Sequence, residues 1–147
     1  MDAKRVVIGS LVGGITLHAV GYLIFGVMFA AFFAANAGSA TGVPRDPPLQ
    51  WALAVGNLSH AALLTLAVGS RVRSSTIAEG FKIGAIVGFL VWLGVDFILY
   101  GVQNVSNLTA TVVDALLGIV PAGIAGAVVA AVLGKMTVSA RAESQLT

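Results

Sequence analysis

Four apolar stretches, about residues 6–35, 50–70, 81–103 and 109–134, take up most of the 147-residue chain. At about 1.5 Å of rise per residue, each is long enough as a helix to cross a hydrocarbon layer about 30 Å thick. Inside that layer backbone amides find no water, and a helix satisfies them within one segment, so runs of this length specify helices. The expected fold class is all-α: a polytopic membrane protein, an antiparallel four-transmembrane-helix bundle, with residues 1–147 forming a single transmembrane domain.

Composition closes the soluble alternative. Hydrophobic residues make up 58% of the chain and charged residues 10%, with a mean hydropathy of +0.99. A soluble domain uses about 25% charged residues, and this chain cannot build such a surface. The first stretch starts at Val6 behind Asp2, Lys4 and Arg5, as a signal peptide would, but it runs on to Ala35 and is read as a retained helix. The absence of cysteine excludes disulfides, thiolate metal sites and cysteine nucleophiles.

Charge gives the orientation. Lys4, Arg5, Arg71, Arg73, Lys82, Lys135 and Arg141 share one side of a four-span arrangement, and only Arg45 of the eight basic residues falls on the other. The positive-inside bias then places both termini in the cytoplasm of a bacterial inner membrane. These charges sit at helix ends, where they meet anionic lipid, and without aromatic-basic interleaving the sequence pI of 9.4 does not indicate nucleic acid.

The segment from Asn36 to Gln50 contains GSATGVPRDPPLQ, whose glycines and prolines stop the first helix and form the one substantial external loop. Trp51 follows at an interfacial anchor position. The other links are short, so helices two and three, and three and four, are expected side by side. Each span carries small or polar residues at spacing four. The first has Gly14, His18, Tyr22, Gly26 and Ala30, and the second Ala52, Gly56 and His60. The third has Gly80, Gly84, Gly88, Trp92, Asp96, Tyr100 and Asn104, and the fourth Ala110, Asp114, Gly118, Ala122, Gly126, Ala130 and Gly134. Small residues let helix backbones approach in lipid, so Gly80, Gly84, Gly88, Gly118, Gly126 and Gly134 are candidate packing positions. Four helices cannot hide all these rows, and the face of Gly80, Gly84 and Gly88 or that of Gly126, Ala130 and Gly134 is expected to serve a second protomer or a larger membrane complex.

Counting inward from the cytoplasmic ends places His18, Tyr22, Asn57, His60 and Asp96 in one slab, about 15–24 Å deep. An unpaired carboxylate at mid-bilayer costs about 2.5–3.5 kcal/mol, so Asp96 is expected to be protonated, to face water, or to pair with a histidine, tyrosine or asparagine of that slab. Three uses stay open: a hydrogen-bonded lock, a proton, cation or small-solute path, and a bound haem or divalent metal held by the histidines and Asp96. Tyr100, Asn104 and Asp114 form a second candidate cluster at the outer hairpin, a clamp or the mouth for a polar ligand. Pro121 is expected to kink the fourth helix. Ser10, Ser59, Ser70 and Ser106 stand in no nucleophile motif, which makes enzymatic activity the least supported class.

Residues 88–134 also carry Asp96 and Tyr100, then Asn107 and Leu108, then Val113, Asp114 and Gly118. This pattern resembles the C-terminal half of a bacterial four-helix integral membrane protein family of unknown function. The resemblance implies a four-span bundle and no assigned chemistry. The expected function is therefore that of an integral membrane protein, with proton, cation or small-solute transport as the active reading. An accessory subunit and a haem- or metal-binding protein are its alternatives.

Overall fold

The computed structural model describes residues 2–43, 47–70 and 76–144, with side chains described as far as Val138. Arg45, Arg71 and Arg73, and the side chain of Arg141, lie outside the described residues. Helix α1 (Ala3–Gly21) continues through a π-helical segment (Tyr22–Met28) into α2 (Ala30–Ala35). Then follow α3 (Gln50–Gly69), α4 (Ile77–Val102), α5 (Leu108–Leu117) and α6 (Ile119–Ser144). Among the described residues, four stretches are helical and apolar enough to cross a membrane: Ala3–Met28, Gln50–Gly69, Ile77–Val102 and Leu108–Val138.

Local chemistry sets the ends. The Asp2 carboxylate accepts from Arg5 N at 2.8 Å, and the Asn107 side chain accepts from Ala110 N at 2.9 Å. Thr76 and Glu79 cap α4 reciprocally, each side chain accepting from the other's backbone N–H. Such caps satisfy amides that the first helical turn leaves unpaired. The fourth span divides at Gly118. Pro121 has no N–H for the Leu117 carbonyl, and the next bond, Ala122 N to Gly118 O, is long at 3.4 Å.

The first span departs from its expected regular form. Phe29 N bonds Ile24 O at 2.8 Å, an i to i−5 bond that ends the π-helical segment. Within it the Tyr22 ring lies over Gly26, four residues on, and Tyr22 is 68% exposed. Beyond it, Phe25, Phe32 and Phe33 gather, with centroids 5.8 Å apart for Phe25–Phe33 and 5.4 Å for Phe32–Phe33.

Helix α6 is the hub, packed against α4, α1 and α3, while α1 and α3 form a second close pair. Helices α3 and α4 touch only sparingly, contrary to the expected side-by-side packing. The glycine face of α4 is taken by α6, whereas Gly9, Gly13 and Gly14 admit Thr65, Ala61 and Leu58 of α3 against α1. Leu64, Val68, Val129 and Leu133 are fully buried where α3 and α6 meet. In lipid this core is held by close van der Waals contact, since leaving lipid gains an apolar side chain nothing. Ile15, Trp51, Ile98 and Val102, all at least two-thirds exposed, suit a lipid-facing surface.

The two ends differ. At the terminal end Arg5 Nη2 donates to the Leu133 carbonyl at 3.1 Å, tying the start of α1 to α6. At the loop end, residues 36–40 pair with 104–107: Gly38 N donates to Val105 O at 2.9 Å and Asn107 N to Asn36 O at 3.0 Å. Asn107 Nδ2 also donates to Asn36 Oδ1 at 3.0 Å, so the loop end is closed by a hydrogen-bonded clamp.

Candidate functional site

Small residues of α4 and α6 form one continuous seam. A β-carbon on Gly84 would strike the Ala122 carbonyl, one on Gly80 would strike Ala130, and one on Gly126 would strike Gly80 and Gly84. Gly88 faces Ala122 and Gly118, and Gly118 lies against the Trp92 ring. The backbones can approach this closely only without side chains. The seam uses up the faces of Gly80, Gly84, Gly88 and Gly126 within one chain, which corrects the expectation that they remain free for a second protomer. Gly134 meets nothing within 4 Å.

Asp96 follows Trp92 by one turn and Asp114 precedes Gly118 by one turn, so the register brings the two carboxyls to the loop end of the seam. They are near enough to interact electrostatically. Each lies six residues inside its helix end, about 9 Å from the loop end. Asp96 is 8% exposed, and its Oδ2 has no hydrogen-bond partner among the described residues.

This partition differs from the two expected clusters. Asp96 joins neither His18 nor Tyr22, because the face of α4 that carries it turns to α5 and α6 rather than to α1. Asp114 is close enough to Asp96 to act on it electrostatically. Asn104 bonds Ser39 and Tyr100 is exposed, so Tyr100, Asn104 and Asp114 do not form one site. Depth along a helix was legible in the sequence, whereas direction around it depended on which neighbour each helix chose.

His18 and Asn57 do meet, with Asn57 Nδ2 donating to His18 Nδ1 at 3.2 Å across α1 and α3. His60 sits one turn inward of Asn57, its ring edge-on to Trp92 with centroids 6.4 Å apart, and its Nε2 is buried without a partner. Among the described residues no three His, Asp or Glu side chains gather as metal ligands, which removes the His18, His60 and Asp96 metal arrangement. The groove lined by His18 does not include His60, so no axial pair for haem faces it.

Further buried polar atoms without partners are Thr65 Oγ1, Ser10 Oγ and Arg5 Nε. Sequence reading missed Thr65, although a threonine amid the apolar residues of α3 was a visible signal. No family model matches the chain, and neither a curated protein nor a solved structure does so. The resemblance over residues 88–134 therefore assigns no family.

Proposed function

We propose that this polytopic membrane protein conducts protons, with the Asp96–Asp114 pair as its entry site. One observation carries the reading: partnerless buried polar atoms succeed one another across the thickness of the bundle. Counted from the loop end, Asp96 lies about 9 Å in, His60 about 15 Å and Thr65 about 22 Å. Gly9 touches Thr65, which brings the neighbouring Ser10 to the same level, and Arg5 lies about one turn nearer the terminal end. Buried polar groups without protein partners are the places where internal water is held, and ionisable groups inside a membrane mark proton and ion paths.

The residue types suit the task. Two bare carboxylates together in a low-dielectric seam repel, and a shared proton removes that repulsion. Imidazole gains and loses a proton near neutral pH, while threonine and serine hydroxyls both donate and accept. Inward of Trp92 the glycine seam leaves no room between α4 and α6, so the route turns toward His60 and α3. The basic-residue bias supports an orientation with both termini on the cytoplasmic side. Reporter fusions after Pro44 and after Arg73 are expected to report opposite compartments.

Proteoliposomes holding a pH-sensitive dye test the function. Wild-type protein is expected to relax an imposed pH gradient, with Asp96→Asn and His60→Leu each slowing it at least about tenfold. Equal relaxation in empty liposomes and in the wild type would sink the reading and leave the accessory-subunit alternative.

A further inference from the structure

His18 and Asn57 lie apart from the orphaned interior atoms, on a groove between α1 and α3 of about 510 Å³. Leu11, Ile15, Ala54 and Leu58 give it an apolar lining, and its polar lining residues are the hydrogen-bonded pair and, at the loop end, Gln50. The volume falls in the range of sites for small organic ligands, which combine an apolar wall with a few placed polar groups.

The tautomer follows from the hydrogen bond. An amide nitrogen only donates, so His18 Nδ1 is the acceptor and the neutral ring carries its proton on Nε2. His18 is exposed, and Nε2 makes no hydrogen bond among the described residues. Asn57 is seven residues from the start of α3, which puts this donor about 10 Å inside the loop end of the bundle. In the four-span arrangement that depth falls within the hydrocarbon layer, whereas phospholipid ester carbonyls belong to its boundary. The occupant must therefore arrive through the lipid phase and carry its own acceptor into the hydrocarbon region on an apolar body.

We propose that the α1/α3 groove binds the ring of a membrane-soluble quinone, with one ring carbonyl accepting from His18 Nε2–H and the isoprenoid-type tail lying along Leu11 and Ile15. The flat ring fits against an apolar wall, and the carbonyl satisfies a donor that lipid chains cannot. This binding does not depend on the carboxyl pair, so it stands or falls separately from proton conduction.

The probe is a decyl-substituted benzoquinone titrated into protein held in phosphatidylcholine nanodiscs, with quenching of tryptophan fluorescence as the readout, Trp51 being next in sequence to Gln50 of the groove lining. Saturable quenching is expected for the wild type and for Asp96→Asn. His18→Leu should weaken it about tenfold, as loss of one buried hydrogen bond does. Ala54→Phe, which fills the groove and leaves the polar pair in place, should abolish it, while Ile86→Phe on the lipid face of α4 should leave it unchanged. Quenching that never saturates, or that is equal in His18→Leu and Ala54→Phe, would overturn the proposal. So would a wild-type dimer in nanodiscs that His18→Leu converts to a monomer, since a second copy would then cover the pair.

Discussion

The α4/α6 and α1/α3 contacts start from the same sequence device and end differently. Along α4 and α6, small residues repeat at spacing four on both partners, and the two rows interlock from Gly80 and Ala130 to Gly88 and Gly118 without a gap. Along α1, Gly9, Gly13 and Gly14 admit α3 near the terminal end, but toward the loop end the row passes to His18 and Tyr22. There a groove opens alongside the two helices, and beyond it the first span changes to a π-helical turn. A spacing-four row therefore makes a sealed contact only where the partner helix offers small residues at the same level. Where it does not, the row ends in polar side chains and open space.

The sharpest way to break this comparison is to place the same bulk on each side. Gly84→Leu drives a side chain into the Ala122 carbonyl and is expected to cost at least about 3 kcal/mol in a detergent unfolding titration, with much of the protein failing to fold. Near wild-type stability for that variant would mean that the two backbones are not in contact.

A smaller effect is expected at the loop clamp. Asn107 both caps α5 and bonds Asn36, so Asn107→Ala should destabilise by about 1–2 kcal/mol. The loss should be about halved in an Asn36→Ala background if the two asparagines act as a pair, and a double-mutant cycle measures that coupling.

Thr65→Val separates structure from conduction. Its hydroxyl is fully buried without a partner, so replacing it by a methyl group should stabilise the fold by about 1 kcal/mol while slowing proton flux. A variant that is more stable and equally fast would take Thr65 out of the route. The smallest change is expected for Gly56→Leu, which meets nothing within 4 Å and should shift stability by no more than about 0.5 kcal/mol. A larger loss in native lipid, absent in detergent, would show that another chain packs on that face.

The four helices were legible in the sequence because hydrocarbon allows few ways to satisfy a backbone, and length with hydropathy decides among them. The division at Gly118 was legible too, since Pro121 removes a specific donor. The π-helical turn at Tyr22 had no comparable signal, because no missing N–H marks it. The candidate site was legible as residue types and depths: Asp96, Asp114 and His60 all stand out as costly in lipid. Their grouping was not legible, because neighbours were assigned by depth alone, whereas α4 turned its polar row toward α5 and α6. Short links guided adjacency at one hairpin and not at the other: α4 lies against α5 and α6 as expected, whereas α3 packs on α1 rather than on α4.

The central claim is that Asp96 belongs with Asp114 at the end of the glycine seam and not with His18 in the α1/α3 groove. The chain has no cysteine, so introduced pairs can be cross-linked without background. Asp96→Cys with Asp114→Cys, treated in native membranes with a short thiol-reactive bifunctional reagent and then cleaved within the 103–107 link, should remain one covalent species. Asp96→Cys with His18→Cys should not cross-link within the chain. Cross-linking of the second pair and not the first would contradict the arrangement of α4 against α5 and α6 and, with it, the carboxyl pair.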